Sequence, residues 1–479
     1  MKLTINGKAI EAREGMTILD AARENGVEIP TLCYLKEINE ISACRVCVVQ
    51  VEGAGMQTAC SARVREGMKV TTDSEDIRSA RRRTLELICA DHEMECTECP
   101  RGNNCELREL CKEYEVDDRA FGVGHRGKRI DASSVHLVRD NSKCILCRRC
   151  MATCSKVQEI GAIAANFKGR KTNIGFGLEN ADTDCVHCGQ CIAACPTGAL
   201  TERDDTKRVW KAIYDKSKYV VAAVAPMTYG SIASLFGAEK GDDLGKLCTI
   251  LREIGVDMVL DMAQYAGDCR ALELEAIEKK LAEGTLPVLS SSCPAWREII
   301  EKAYPHLTGN MAGFPSPRQV LARRCKAELG DRDVFFVSID NCTAAKHEIT
   351  RAENDGGVDA AITTRELFAM IRRACVSNFT ANQIWEKLKP SAPNALSGAG
   401  ESPAVSEKPA YEEKDLELGG RKLRAVSVSG LGNARKALEN AGAYDYIEAY
   451  ACPGGCLHGG GAPHEVNVLS TLQWKLQKL

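Results

Sequence analysis

Apolar and polar residues alternate over short distances in the first part of the chain. Residues 2–7, 47–53 and 68–73 have the two-residue period of half-buried strands, whereas residues 17–26 have apolar positions at helical spacing. This mixture predicts a compact α+β domain over residues 1–78. Residues 79–125 begin as a helix and continue into a loop, and residues 136–212 contain two similar loops, which form an internal repeat.

From residue 216 onward, short apolar runs alternate with longer segments of helical periodicity. The runs predicted to be strands lie at 219–226, 256–262, 286–292, 333–340, 359–363, 424–430 and 444–450. Such alternation is typical of parallel sheets and predicts an α/β domain over residues 216–479. The segment at 389–418, rich in Pro, Ser, Ala and Glu, interrupts the pattern and is predicted to be a flexible surface loop or linker.

Length and charge exclude several classes of protein. A chain of 479 residues should hold three or four domains. A net charge of −3 with 27% charged residues gives no basic face for nucleic acid. We find no signal-peptide pattern and no apolar run long enough to span a bilayer. A cytoplasmic location is therefore expected, where thiols stay reduced and clustered cysteines indicate metal rather than disulfides.

The candidate chemistry begins with a four-cysteine motif in the N-terminal domain. Cys33, Cys44, Cys47 and Cys60 come from loops beside predicted strands. Four thiolates suit two tetrahedral irons that share two sulfides, and the motif predicts a 2Fe-2S cluster. A zinc site uses the same ligands and is the alternative.

The second motif mixes imidazole with thiolates. His92, Cys96, Cys99 and Cys105 would hold a 4Fe-4S cluster, and a neutral ligand would raise its reduction potential. Structural zinc of the Cys3His type is the alternative. The position between two other cluster motifs favours the iron–sulfur interpretation.

The internal repeat carries the most specific signal. Each copy reads Cys-x2-Cys-x2-Cys-x3-Cys, and in this bacterial ferredoxin pattern the fourth cysteine binds the other cluster. One 4Fe-4S cluster is therefore assigned to Cys144, Cys147, Cys150 and Cys195, and the second to Cys185, Cys188, Cys191 and Cys154.

Four cysteines of the C-terminal region follow predicted strands. Cys293, Cys342, Cys452 and Cys456 should converge, because open α/β sheets gather ligands at the carboxyl ends of their strands. The glycines between 454 and 461 would let the backbone approach an inorganic cofactor closely. These residues together predict a cofactor site.

Three segments of this region resemble the signatures of the FeFe-hydrogenases. They read SSSCPAW at 290–296, NCTAAKHE at 341–348 and EAYACPGGCLHGGGAP at 448–463. The upstream motifs also match that family and the large peripheral subunit of complex I. The resemblance implies a β-grasp 2Fe-2S domain, a His/Cys3 cluster domain, a two-cubane ferredoxin domain and a two-lobed α/β hydrogenase-like domain. It also implies that the four C-terminal cysteines hold a 4Fe-4S cluster, which Cys456 would bridge to the two-iron subsite for hydrogen.

The chain departs from this family around the two-iron subsite. Ser292 replaces a cysteine that relays protons, and a hydroxyl is much less acidic than a thiol. Ala345 stands where the family has a lysine beside the subsite. Lys346 comes one residue later, which on a helix directs it about 100° away. We therefore expect no positive charge there.

Other departures affect the walls of the same site. Asp340 and Asn341 replace Met-Pro and Tyr450 replaces methionine, although Glu348 keeps its position. After Gly400 a polar, proline-containing segment replaces an apolar run, and it cannot build the same dry wall. The departures predict a scaffold that retains its cluster but lacks the two-iron subsite.

The sequence therefore predicts an iron–sulfur electron-transfer subunit of a flavin-based, bifurcating NADH/NADPH/ferredoxin oxidoreductase. Flavin- and NAD(P)-binding partner subunits and ferredoxin are expected, because the turn at 430–434 lacks the third glycine of the dinucleotide fingerprint. One alternative is an active or sensory FeFe-hydrogenase with Cys456, Ser292 and Glu348 as catalytic candidates. A C-terminal site that holds another metal, or none, is the other.

Two further groups of residues have weaker signals. Glu273, Glu275 and Glu278 precede the first signature, where the family has relay carboxylates, but a solvated helix face is the favoured interpretation. Six cysteines outside the motifs are predicted to be small buried residues, namely Cys89, Cys111, Cys248, Cys269, Cys325 and Cys375.

Overall fold

The computed structural model describes residues 1–102, 104–122, 130–176, 184–236, 243–374, 385, 388–400 and 406–464. Within these ranges, none of the helices combines the length and apolar character that crossing a membrane requires. Cys375 lies outside them. Of the other spare cysteines, Cys111 is half-buried and the remaining four are buried as predicted.

The N-terminal region is a five-stranded sheet with one helix. Its elements are β1 (Lys2–Ile5), β2 (Lys8–Glu11), α1 (Ile18–Glu24), β3 (Val48–Val51), β4 (Gly55–Thr58) and β5 (Lys69–Thr71). The strand order is β2-β1-β5-β3-β4, and β1 pairs with β5 in parallel. Thr17 caps α1 by accepting a hydrogen bond from the Asp20 N–H at 3.0 Å. The predicted strands and helix are present, around an apolar core of their own.

Two helices flank the His/Cys motif, and two small sheets accompany the internal repeat. The helices are α2 (Glu75–Ala90) and α3 (Glu106–Glu113). The repeat region contains β6 (Ile130–Asp131), β7 (Leu137–Asp140), α4 (Arg149–Ala152), β8 (Ala164–Asn166), β9 (Asn173–Gly175), α5 (Gln190–Ala194) and β10 (Leu200–Glu202). Its two sheets are β10-β7-β6 and β8-β9. Before α4 and α5 the backbone adopts positive φ, at Arg148 and Gly189 respectively, so the two halves repeat in structure as well as in sequence.

The C-terminal region contains two four-stranded sheets. The first sheet and the helices packed near it comprise α6 (Thr206–Tyr214), β11 (Tyr219–Val224), α7 (Pro226–Leu235), α8 (Asp243–Glu253), β12 (Met258–Asp261), α11 (Pro317–Leu329), β14 (Val334–Asp340), α12 (Ala345–Glu348), β15 (Ala360–Thr363) and α13 (Thr364–Ala374). The second sheet and its helices comprise α9 (Ala266–Ala282), β13 (Val288–Leu289), α10 (Pro294–Ala303), β16 (Tyr411–Leu418), β17 (Arg421–Ser429), α14 (Leu431–Glu439) and β18 (Tyr446–Tyr450).

Both sheets are mainly parallel, as predicted. Their strand orders are β12-β11-β14-β15 and β13-β18-β17-β16, and the one antiparallel pair among these described strands joins β16 to β17. Alternate residues of β11 enter different apolar clusters on the two faces of the first sheet. Burial on both faces explains why these strands are continuously apolar in sequence.

The prediction for residues 389–418 is wrong at its C-terminal end. Residues 411–418 form β16, the edge strand of the second sheet. Nearly all of its side chains are exposed, so the strand lacks the apolar alternation that marks a half-buried strand. Charged side chains on an edge strand also oppose pairing with another chain.

Candidate metal centres

The four thiols of the N-terminal motif are buried together. Cys33 follows α1, Cys44 and Cys47 precede β3, and Cys60 follows β4. They form two hydrogen-bonded pairs, and the neighbouring thiol lowers the pKa of Cys44 to about 6 and that of Cys60 to about 7. Free thiols grouped in this way are the donor set of a 2Fe-2S cluster.

The second motif contributes a buried imidazole with an unused nitrogen. His92 is 7% exposed, and its Nδ1 has no hydrogen-bond partner among the described residues. Burial and, to a lesser extent, the nearby Lys143 ammonium lower the pKa of His92 to about 4. Cys99 lies within electrostatic range of Cys96 and Cys105. A neutral imidazole with an orphan nitrogen fits a metal ligand.

The structure places the cysteines of the internal repeat in two neighbouring groups. A small cavity of about 20 Å³ is lined by Cys144, Cys147, Cys150 and Cys195. Cys154 lies within electrostatic range of Cys188 and Cys191, and Cys185 belongs to the same buried cluster as Cys191. Burial raises the pKa of Cys188 to about 12. Thiolates at such depth need positive charge or metal to be stable.

Hydrogen bonds and close packing connect these sites to one another. The amide nitrogen of Asn39 donates to the carbonyls of Cys33 and Cys147, at 2.6 and 3.0 Å. Arg101 donates to the carbonyl of Cys195 at 2.8 Å. At Gly198 an added Cβ would lie 2.5 Å from the Cys99 sulfur. The first repeat site therefore contacts both the 2Fe-2S region and the His/Cys region.

A cavity of about 570 Å³ lies where β13, β14 and β18 end. Cys293, Cys342, Cys452 and Cys456 line it together with Cys188 of the repeat. Cys456 is exposed, but the space that it faces is this cavity, and burial raises the pKa of its thiol to about 12. Four converging thiols fit a 4Fe-4S cluster. The cavity continues beyond them to side chains of α9, β16 and β18.

A buried ion-pair network supports the Cys342 ligand. Asp340, the last residue of β14, accepts a hydrogen bond from the Cys342 N–H at 2.7 Å. The other oxygen of this carboxylate accepts from Arg318 at 3.0 Å, and Arg318 also donates to Glu348 at 2.5 Å. Although burial opposes it, the two carboxylates raise the pKa of Arg318 well above its usual value. The arginine is thus a fixed cation in the cavity wall, held by two carboxylates.

The side chains of the signature segments lie in different places relative to the cavity. Ser292 lies in the cavity wall. Lys346 points away from it, as predicted, and its ammonium lies 2.8 Å from Asp205 and 2.9 Å from Glu366. Glu348 is not among the described residues of the wall, because its carboxylate binds Arg318. At these two positions the cavity therefore receives a hydroxyl from Ser292 and no ammonium from Lys346.

Two expectations about this cavity are wrong. Lys408 lines it, so a positive charge is present. The segment that carries Lys408 packs on the glycine loop, and its sequence has no apolar periodicity from which this contact could be predicted. Glu273 is buried in the wall with Arg270 at 2.9 Å, and burial raises its pKa. Glu275 and Glu278 are exposed, as predicted.

Sequence reasoning missed Arg318 and Asn39. In α11 the buried residues include Arg318, Leu321, Ala322 and Cys325, which places Arg318 on the apolar stripe of the helix. A charged residue at such a position is a usable signal for a buried ion pair. Asn39 lies in an irregular loop, where no pattern predicts its partners.

Four family models match the chain. They describe a 2Fe-2S iron-sulfur cluster binding domain at residues 1–75, the NADH-ubiquinone oxidoreductase-G iron-sulfur binding region at 81–120, a 4Fe-4S dicluster domain at 143–199, and the C-terminal domain of the iron only hydrogenase large subunit at 218–460. Both kinds of cluster-binding domain expected from the cysteine spacing are therefore present.

Two relatives match almost the whole chain. The NADP-reducing hydrogenase subunit HndD of Solidesulfovibrio fructosivorans is 32% identical, over 100% of this chain and 91% of its own length. Iron hydrogenase 1 of Clostridium pasteurianum is 33% identical, over 96% of this chain and 88% of its own. The NADPH-Fe(3+) oxidoreductase subunit alpha of Geobacter sulfurreducens is 36% identical, over 42% of this chain and 24% of its own.

Proposed function

The chain belongs to the iron-only hydrogenase large-subunit family, and on that premise we propose that it is an electron-transfer subunit without a two-iron subsite. It is an oxidoreductase with 2Fe-2S and 4Fe-4S binding domains. We assign one 2Fe-2S cluster to a β-grasp domain, three 4Fe-4S clusters to the rest of the N-terminal half, and one 4Fe-4S cluster to the C-terminal cavity. Bound clusters would supply one-electron transfer, and the protein supplies ligands, burial and spacing.

The placement of Lys346 carries the proposal that the two-iron subsite is absent. A complex with cyanide ligands is anionic, and in the family it is met by a lysine of the second signature. Here the lysine of that segment is 2% exposed and is held by Asp205 and Glu366. Ser292 supplies a hydroxyl where the family relays protons through a thiol, which supports the same conclusion.

We further propose that this chain works in a complex whose other subunits bind the flavin and the pyridine nucleotide. The backbone N–H of Leu431, at the start of α14, donates to the side-chain oxygen of the buried Gln158 at 2.9 Å. This N–H is therefore not available to a phosphate group at this turn. Flavin and pyridine nucleotide would then bind partner subunits, as the printed names of the NADP- and NADPH-linked relatives support. We propose a cytoplasmic, bifurcating hetero-oligomer that exchanges electrons with NADH, NADPH and ferredoxin.

Infrared spectroscopy tests the absence of the subsite. Protein produced with the hydrogenase assembly enzymes should contain iron and show paramagnetic resonance after dithionite, yet lack carbonyl and cyanide stretching bands. An FeFe-hydrogenase matured in parallel is the positive control. The presence of those bands, with hydrogen evolved from a reduced dye, would reject the proposal and establish the alternative.

The alternative, an active hydrogenase, rests on one specific observation. The cavity extends beyond the four thiols, and the buried carboxylate of Glu273 lies in its wall. A Glu273→Gln variant distinguishes the two functions, because it would slow hydrogen evolution only in an active enzyme. An electron-transfer subunit would evolve no hydrogen with either residue.

A further inference from the structure

We propose that Lys408, held against the ring of Tyr450, sets the reduction potential of the C-terminal cluster by placing a positive charge beside Cys456. The inference rests on the proposed function, because it requires the 4Fe-4S cluster in this cavity. It joins two features that depart separately from hydrogenase sequences, the polar segment after Gly400 and the tyrosine in the third signature.

The backbone and stem of Lys408 are fixed on the loop that carries two of the ligands. The N–H of Lys408 donates to the carbonyl of Gly454 at 3.0 Å, and its own carbonyl accepts a hydrogen bond from Ser429 at 3.4 Å. At Gly455, an added Cβ would lie only 2.7 Å from Cγ of Lys408. Gly455 has a φ of +85° and is next to Cys456, so the lysine stem covers the turn that presents this thiol.

The ring of Tyr450 holds the ammonium group. The Nζ atom of Lys408 lies 4.8 Å from the centre of this ring, within the range of a cation–π interaction. The hydroxyl of Tyr450 donates to Glu448 at 2.9 Å, and Glu448 also accepts from Ser427 at 2.7 Å. The ring is therefore anchored at its far end, and the methionine usual in this position could not bind a cation in the same way.

Other cations in the wall have a carboxylate at ion-pair distance, whereas Lys408 has Glu448 only within longer electrostatic range, and Glu448 is shared with Lys414 at 3.9 Å. Arg318 is paired with two carboxylates, and Arg270 is paired with Glu273. Glu407, the neighbour of Lys408, is directed to His458 at 2.9 Å. Within the described ranges, no carboxylate lies at ion-pair distance from the Lys408 ammonium. Its natural counter-charge is the group held by the four thiolates.

A cation at this place without an ion-pair partner favours the reduced cluster. Each added electron increases the negative charge within the thiolate cage, and a nearby ammonium stabilises that charge more strongly in a cavity than in water. The lysine missing from the second signature is thus replaced by one that serves the 4Fe-4S thiolates.

The test is an anaerobic redox titration of the full holoprotein, followed by paramagnetic resonance. The signal of the C-terminal cluster is identified by its loss in Cys342→Ser. In Lys408→Gln, the ratio of reduced to oxidised cluster at a given potential should fall about tenfold, which is a shift of the reduction potential by about 59 mV to lower values. Lys408→Arg should keep the original potential, because it keeps the charge. Lys436→Gln removes an equal charge from an exposed position and should also leave it unchanged.

A second pair of variants tests the ring. Tyr450→Phe retains the aromatic face and should retain the potential, whereas Tyr450→Met should lower it. If Lys408→Gln failed to assemble the cluster, this pair alone would decide the question. Equal potentials in Lys408→Gln and unmodified protein, or in the Phe and Met variants, would overturn the inference. No C-terminal signal in unmodified protein would instead contradict the proposed function.

Discussion

Single buried polar side chains join cluster loops that are remote in sequence. Gln158 is fully buried, donates to the carbonyl of Ala451 at 3.0 Å and accepts from the N–H of Leu431 at 2.9 Å. Asn39 connects Cys33 to Cys147 in the same manner. Each such residue satisfies backbone groups of two regions at once, so its removal leaves several buried groups without partners.

Replacing Asn39 with leucine should destabilise the N-terminal half. The change keeps the size of the side chain but leaves the carbonyls of Cys33 and Cys147 without their donor, at a cost of about 1–3 kcal/mol. This loss of stability would appear as a lower midpoint when the anaerobic holoprotein is unfolded with urea. Asn440→Leu is the matched control, because Asn440 makes one exposed hydrogen bond and its loss should cost less than about 0.5 kcal/mol. Equal midpoints for the two variants would contradict the bridging role.

Lys346 is the clearest case of a buried charge with a structural role. Lys346→Met would leave the carboxylates of Asp205 and Glu366 without a cation, and we expect a loss of about 3–5 kcal/mol in unfolding free energy. Urea denaturation measures this loss. Lys69→Met removes an ion pair of equal length, 2.8 Å, whose partners are 66% and 65% exposed, so its effect on the urea midpoint should be much smaller, because exposed ion pairs contribute little to stability. A small effect at Lys346 would mean that water or protonation replaces the pair.

At the scale of elements, strands with a regular burial pattern are predictable and contacts between elements are not. The apolar runs that become β13, β14 and β18 each lead into a cysteine of the cavity, namely Cys293, Cys342 and Cys452. The charged strand β16 lacks such a pattern. Glu273 and Lys408 enter the cavity through the packing of α9 and of a non-periodic segment. Spacing within one element cannot predict which other element will cover it.

The contact between α5 and the glycine loop illustrates this limit. An added Cβ at Gly460 would lie 2.5 Å from Cα of Gly189, so two backbones touch where the repeat region meets the cavity loop. Gly460→Ala should therefore separate them and destabilise the holoprotein by about 1–3 kcal/mol, measured as a lower urea midpoint. Gly442→Ala, with nothing within 4 Å, should change stability by less than about 0.5 kcal/mol. If both variants matched the unmodified protein, the two backbones would not be in contact in solution.

At the scale of the whole molecule, the regions differ in what forms their cores. Buried aliphatic and aromatic side chains fill both faces of the first C-terminal sheet. In the repeat region, four of the buried core residues, Cys150, Cys185, Cys191 and Cys195, are candidate ligands. Cluster binding should therefore contribute more to folding in the repeat region than in the sheet. A cluster that binds only the folded state adds its binding free energy to the free energy of folding.

Removal of iron should consequently unfold one part of the chain and spare another. After anaerobic chelation, we expect hydrogen–deuterium exchange in residues 144–176 and 184–195 to accelerate at least about a hundredfold, equivalent to ~2.7 kcal/mol of lost protection. Peptides from β11 and β14 are the internal control and should remain protected, since their cores contain no candidate ligand. Uniform acceleration over the chain would mean that all regions fold as one cooperative unit. Unchanged exchange in the repeat would mean that its thiols pack stably without metal.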